Sequence, residues 1–162
     1  APNDDGRLDD KHRSTMRVLV LTDHLTGSDQ LIDYGAHFTH DGGNLVLAHL
    51  EDDVIFERYM EVIGKVPAIH TDTARERIRA QLLKEPADYI DTVRHVLTAE
   101  RKKLSVVREV AMGHRIADCR RLIEEHNIGL VVMNTKDEDQ LAMHGLAYPI
   151  AIELRDVPLL LL

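Results

Sequence analysis

The stretch RVLVL at residues 17–21 decides the fold of this chain, together with GLVVM at residues 129–133. Both runs are short, rich in β-branched residues and bounded by polar residues, which is typical of parallel strands buried on both faces. The first run leads into Thr22-Asp23-His24. The second leads into Asn134-Thr135-Lys136 and then into the three acids of residues 137–139. In open α/β sheets, ligands bind outside the carboxyl ends of the strands, where strand order reverses. We therefore look for a binding site first at these two polar ends.

Three more apolar runs, at residues 44–50, 104–112 and 157–162, predict strands two, three and five. The run GLVVM belongs to the fourth strand, which we predict over residues 128–133. Between the strands, apolar residues recur at helical spacing and predict helices. The first helical segment begins near Thr26, Ser28 or Asp29. Further helical patterns span residues 51–64, 73–84, 115–126 and 141–154, and a separate helix starts at Pro86. Strands that alternate with helices predict a parallel sheet with right-handed crossovers.

Length and charge limit the classes of function. The 162 residues are 44% hydrophobic and 30% charged, which suits one soluble domain. A formal charge of −8 disfavours binding to nucleic acid or anionic lipid. No apolar run approaches the roughly 18 residues of a membrane span, so direct membrane insertion is not expected. Residues 1–15 are polar, acidic and aperiodic and predict a tail or linker before a domain at 16–162. The chain begins with Ala, and we interpret it as processed, tagged or cut from a longer protein.

A single cysteine, Cys119, excludes an internal disulfide and favours a reducing, cytoplasmic compartment. It falls inside a helical pattern beside Arg120 and Arg121. A reactive thiol of low pKa and a small buried or half-buried side chain are both compatible with this position, and the buried or half-buried side chain is favoured.

The order of these elements resembles the universal stress protein domain over about residues 16–162. The resemblance lies in RVLVLTD, LVLAHL, VREVAMGHRIADCRRLIEEHNIGLVVMNT and HGLAYPIAIELRDVPLLLL, taken in this order and spacing. It implies a Rossmann-like, adenine nucleotide alpha hydrolase-like α/β fold: a three-layer sandwich around a five-stranded parallel sheet of order 3-2-1-4-5.

Members of that family that bind ATP carry glycines after strand four: Gly, two residues, Gly, nine residues, then Gly and Ser or Thr. Glycines let backbone amides approach phosphates closely. Here Asn134 stands at the first glycine and Asp137 at the second, while Gly145 follows after only seven residues and Leu146 replaces the hydroxyl residue. Asp137 and the two acids after it would repel a triphosphate, with only Lys136 to offset them. We therefore expect no cofactor, and the acidic loop disfavours ATP or AMP.

The resemblance also implies candidate binding residues. Asp23 matches the strand-one aspartate that contacts the adenine side of the nucleotide in the family, but an acid here equally well caps the next helix. Asn134 and Thr135 suit the polar edge of a ligand, although both residue types also end strands by bonding their own backbone, which is slightly favoured. The candidate ligand-binding residues are Asp23, His24, Leu50, Met133, Asn134, Thr135, Lys136 and Gly145.

Neither a metal site nor a catalytic site is predicted. Among ten histidines, His37 and His40 lie three apart, but no pair follows a zinc-binding spacing, and dispersed surface histidines are expected. No nucleophile elbow, Cys–His grouping or Walker A loop is present in the sequence. The acids of 137–139 are expected to form a solvated loop rather than a cation site.

Residues 157–162 are almost wholly apolar and would form the outer strand of the sheet. An exposed apolar edge is a template for pairing with another chain, and the resemblance implies an antiparallel homodimer through this edge. The alternative is that these leucines are core residues covered by helices. The candidate interface residues are Val157, Leu159, Leu160, Leu161 and Leu162.

Together these observations predict a cytoplasmic, non-enzymatic regulatory domain without tight ATP binding, acting as a homodimer through a partner or small ligand. A soluble regulatory domain of a larger protein, such as a membrane transporter, is one context that the resemblance implies. The alternative is a nucleotide-binding protein for AMP, ATP or a cyclic nucleotide, with weak or no hydrolysis, that uses Asp23 and the loop at 134–145.

Overall fold

A computed structural model of the chain describes residues 15–22, 28–69, 72–134 and 147–162. Within these ranges the chain forms five strands, five α-helices and a short 3-10 turn at Pro67–Ile69. In chain order the elements are β1 (Arg17–Thr22), α1 (Ser28–Phe38), β2 (Asn44–Asp52), α2 (Asp53–Ile63), α3 (Asp72–Glu100), β3 (Ser105–Gly113), α4 (Arg115–Glu125), β4 (Leu130–Met133), α5 (Ala147–Glu153) and β5 (Leu159–Leu161).

The five strands form one parallel sheet in the order β3-β2-β1-β4-β5, which confirms the predicted order. In the centre, Leu19 of β1 lies between Val46 of β2 and Val131 of β4. The chain winds outward from β1 to β3 on one side, then returns and winds outward through β4 to β5 on the other. Strand order therefore reverses between β1 and β4.

Helices cover both faces of the sheet, as the predicted three-layer sandwich requires. Val18 and Val20 are fully buried on the face covered by α1 and α3. Leu19 and Leu21 alternate with them and pack on the face covered by α4 and α5. This alternation explains why the run of β1 is continuously apolar. Among the described helices, none is long and apolar enough to cross a membrane.

The prediction of two helices around Pro86 is wrong, because α3 runs through this residue as a single helix of 29 residues. Pro86 lacks the N–H that would bond the Leu82 carbonyl, and its ring crowds that carbonyl. However, Pro86, Ile90 and Leu97 are all buried along α3. Packing against the sheet thus outweighs the local preference of proline to start a helix.

The fourth strand starts later than the predicted residue 128, because Ile128 completes the end of α4. Its N–H bonds the Ile123 carbonyl at 2.9 Å, and Asn127 takes the left-handed conformation with φ 49°. This pattern is a Schellman motif, which satisfies the last carbonyls of a helix. Ile128 itself is buried in the core.

The fifth strand is shorter than the predicted 157–162 and spans Leu159–Leu161. Pro158 has no N–H to donate, so it joins the ladder only through its carbonyl, which accepts from Val131 N–H at 3.0 Å. The helix predicted at 141–154 is observed over Ala147–Glu153, and residues 141–146 lie outside the described residues.

Candidate functional site

The point of strand reversal lies between the carboxyl ends of β1 and β4. Val20 of β1 pairs with Val132 of β4, so Thr22, the last residue of β1, lies level with Asn134, which directly follows β4. Thr22 is buried and Asn134 is half-buried. These two polar residues therefore mark the point of strand reversal, the position at which open α/β sheets bind ligands in a crevice.

A chain of polar contacts joins the ends of β1 and β2 beside this crevice. The Thr22 hydroxyl donates to the Ala48 carbonyl at 3.0 Å, and Nδ1 of His49 lies 3.4 Å from the same Thr22 oxygen. On the other side of the ring, Nε2 of His49 lies 2.7 Å from Oε1 of Glu51. The Glu51 carboxylate accepts hydrogen bonds, so we assign a proton to Nε2.

The prediction of dispersed surface histidines is wrong for His49, which is only 4% exposed. Its position inside the apolar run NLVLAHL was the available sequence signal. Buried polar groups are normally hydrogen-bonded, and Glu51 supplies the partner of Nε2 here. Sequence reasoning did not single out Thr22 or His49 as a pair, because their contact depends on the register between β1 and β2.

The structure places three of the eight candidate ligand-binding residues. Leu50 and Met133 are buried in the hydrophobic cluster between the sheet and α4 and α5, so their side chains belong to the core beneath the crevice. Asn134 lies at the crevice itself. The other five lie outside the described residues: Asp23, His24, Thr135, Lys136 and Gly145. A binding role for all eight stays a prediction.

Cys119 has the favoured environment of a small buried side chain. It is 0% exposed within the cluster under α4, and burial raises the pKa of its thiol to about 12. The neighbouring arginines turn to solvent and pair elsewhere, Arg120 with Glu153 and Arg121 with Glu125. The thiol is therefore neither activated nor accessible.

Two surface grooves lie away from the crevice, along the edge formed by α3 and β3. One, of about 540 Å³, is lined by the last turns of α3 and the first residues of β3. The other, of about 440 Å³, lies beside residues 108–110 in the middle of β3. The site between β1 and β4 thus rests on strand topology and polar contacts rather than on cavity shape.

The outer edge at β5 combines covered and exposed leucines. Val157 and Leu159 pack on the α4 and α5 side, and Leu160 packs on the α1 and α3 side. Leu161 and Leu162 keep 40% and 36% of their surface exposed. Two further apolar residues of α5 are exposed as well, namely Tyr148 and Ile152. Some leucines of this run are therefore core residues, and others remain open to solvent, while an interface through this edge stays a prediction.

Comparison with solved structures shows which proteins share this fold. The chain is similar to the hypothetical protein MJ0577 with a TM-score of 0.68 at 13% identity, covering 91% of this chain and 96% of that one. It is similar to the universal stress protein UspA from Lactobacillus plantarum with a TM-score of 0.55 at 13% identity, covering 91% and 97%. For a universal stress protein family member from Burkholderia pseudomallei the TM-score is 0.50 at 18% identity, covering 92% and 97%.

No protein-family model matches the chain, and no curated protein matches it in sequence. The likeness is therefore one of fold: this chain has the Rossmann-like fold of universal stress proteins, as the resemblance of its sequence segments predicts.

Proposed function

We propose that this chain is a universal-stress-protein-like regulatory domain that is not an enzyme and binds a small ligand at the crevice between β1 and β4, without tight binding of ATP. The observation that carries this proposal is the reversal of strand order at Thr22 and Asn134. The crevice has polar side chains at its base, and the neighbouring His49 is held in place by the hydrogen bond from its Nε2 to Glu51. Such preorganised polar groups suit orientation of a ligand.

The charge around the crevice argues against a triphosphate. At the end of β2, Glu51, Asp52 and Asp53 follow one another, and Asp52 caps α2 by accepting from Val54 N–H at 2.9 Å. In the sequence after β4, the acids of 137–139 stand in the stretch where the ATP-binding family members carry glycines. The acids at the end of β2, together with those that the sequence carries after β4, oppose a polyphosphate and disfavour its binding.

Calorimetric titration with ATP and Mg²⁺ tests the proposal. We expect a Kd no tighter than high micromolar, and a Kd near 1 µM, which corresponds to about −8 kcal/mol, would contradict it. AMP, adenosine and cyclic nucleotides are titrated in parallel, since fewer phosphates meet the acidic loop. Low-micromolar binding of any of these would establish the alternative, a nucleotide-binding protein.

A charge-matched pair of variants separates local repulsion from net charge. The first variant combines Asp137→Asn, Glu138→Gln and Asp139→Asn. The control neutralises three exposed acids of α3 and is made with Glu76→Gln, Glu85→Gln and Glu100→Gln. We expect ATP affinity to rise in the first variant only. An equal rise in both would show that net charge, rather than the loop, opposes the nucleotide.

We further propose that the domain is cytoplasmic and acts as a homodimer through the outer edge of β5, with a protein partner as the receiver of its signal. The exposed Leu161 and Leu162 at this edge support the interface. The proposal that it belongs to a larger protein such as a transporter is tested by the full open reading frame around these residues.

A further inference from the structure

A second polar cluster lies away from the crevice, at the β3 edge of the sheet, where the end of α4 crosses β3. Glu109 of β3 projects to the α4 side, as do Val107 and Ala111, which pack against the same cluster. Nε2 of His126 lies 2.9 Å from Oε1 of Glu109. One side-chain donor atom from each of Glu109, Glu125 and His126 lies within 4.8 Å of the other two.

Rigid elements hold two of these three residues. The backbone of Glu109 is fixed in the ladder between β3 and β2, where it pairs with Ala48. His126 follows the last turn of α4, and its N–H bonds the Leu122 carbonyl at 3.0 Å. Glu109 and His126 are half-buried, while Glu125 is exposed and is held at one carboxylate oxygen by Arg121. Ligands on strands and helix ends give a more defined geometry than ligands on loops.

The electrostatics of this cluster favour a cation. Two carboxylates meet at the carboxyl end of α4, where the helix dipole is negative. Arg121 supplies the positive charge, with its guanidinium 3.0 Å from Oε2 of Glu125. Arg121 has a second acceptor, because Asp118 lies 3.6 Å away on the preceding turn. It therefore keeps an ion pair when Glu125 turns to another cation.

We propose that Glu109, Glu125 and His126 bind a divalent transition-metal ion of the Zn²⁺, Co²⁺ or Mn²⁺ class. One imidazole nitrogen with two carboxylate oxygens suits these ions, whereas Mg²⁺ and Ca²⁺ prefer oxygen ligands alone. Ligand atoms around a tetrahedral Zn²⁺ lie about 3.3 Å apart, so the longest spacing has to close by about 1.5 Å at most, and the 2.9 Å between His126 Nε2 and Glu109 Oε1 has to open by about 0.4 Å. Rotation of the exposed Glu125 side chain accomplishes the closing, and the Nε2 proton that now faces Glu109 is released to solvent.

Three protein ligands leave at least one coordination position for water or for a group from a partner. The site is not positioned to serve the crevice between β1 and β4, because β2 separates β3 from β1. The binding of metal is thus independent of the proposed ligand, and failure of one proposal leaves the other standing.

Titration of the full chain without an affinity tag tests the site. Calorimetry with Zn²⁺ and visible absorption with Co²⁺ are expected to show one equivalent bound more tightly than the remaining histidines bind the ion. Glu109→Gln and His126→Gln are each expected to weaken the affinity for this ion by more than about 10-fold. Loss of a residue that only hydrogen-bonds a metal ligand already costs about 10-fold, and loss of a ligand itself should cost more. The matched controls Glu100→Gln and His95→Gln, both exposed on α3, are expected to leave it unchanged.

The variant Arg121→Gln distinguishes a metal site from a simple network of ion pairs. Removing the guanidinium frees Glu125, so metal binding becomes tighter if Glu125 is a ligand. The proposal is overturned if wild type shows no distinct equivalent, if the glutamine variants bind as wild type does, or if Arg121→Gln leaves the affinity unchanged. Circular dichroism of every variant checks folding, and Glu109→Gln decides the outcome if His126→Gln does not fold.

Discussion

Replacing Leu161 by Lys is expected to weaken self-association of the chain by about 30-fold while leaving the fold intact. Leu161 retains 40% of its surface exposed at the outer edge of β5. Full burial of a leucine is worth about 1.5–3 kcal/mol, so covering the exposed share contributes about 1 kcal/mol per protomer. In a two-fold symmetric contact the residue counts twice, which gives about 2 kcal/mol, or about 30-fold in Kd.

The choice of Leu161 over its neighbour follows from the packing of β5. Leu160 is half-buried and packs against the cluster under α1 and α3, so a lysine there would bury a charge in the core. A lysine at position 161 would not bury its charge, because the exposed part of Leu161 already faces solvent in the single chain. The sequence alone left both positions open, and the exposures decide between them.

Sedimentation velocity over a concentration series measures the effect. The matched control is Leu82→Lys on α3, since Leu82 is 47% exposed and undergoes the same chemical change far from β5. Wild type that stays monomeric at tens of micromolar would rule the interface out. Equal dissociation constants for wild type and Leu161→Lys, or an equally large effect of Leu82→Lys, would refute its placement at β5.

Three further predictions concern stability and reactivity. Arg101 donates to the Ala36 and Thr39 carbonyls at 3.0 and 3.1 Å and to Asp41 at 2.9 Å. The variant Arg101→Ala is therefore expected to lower the free energy of unfolding in urea by about 2 kcal/mol, a value already reduced for the partial exposure of these contacts. A loss below about 0.5 kcal/mol would contradict this. The pKa of about 12 for the Cys119 thiol leaves about 10⁻⁴ of it ionised at pH 8, so a disulfide reagent should label the unfolded but not the native chain. Its raised pKa also means that stability falls as the pH rises above 9.0, where only the unfolded thiol ionises.

The arrangement of the sheet could be predicted because each strand is a self-contained signal. RVLVL predicts a strand at 17–21, and β1 spans Arg17–Thr22. The alternation of strands and helices, with the rules on crossovers, then restricts the order in which strands pair. Pro86 shows where such local reasoning stops: whether proline starts a helix or lies inside one depends on the face that α3 buries against the sheet.

The polar contacts could not be predicted in the same way, because they join residues that are distant in sequence. Thr22 and His49 meet only because β1 and β2 pair in the observed register. Glu109 and His126 are 17 residues apart and meet because α4 crosses back over β3. No fixed spacing marks such a pair, which is why the search for zinc-binding spacings among the histidines passed over His126.

The two outer strands differ in a way that bears on assembly. β3 carries Arg108 and Glu109 at its middle, and each is tied to a covering helix, Arg108 to Asp91 of α3 and Glu109 to His126 next to α4. Charged residues in an edge strand oppose pairing with another chain. β5 consists of three leucines and has no such charge. Among the described residues, charge thus protects the sheet at β3 but not at β5. The proposed self-association through β5 would leave the proposed metal site accessible, and Zn²⁺ binding should be the same in the Leu161→Lys variant as in wild type.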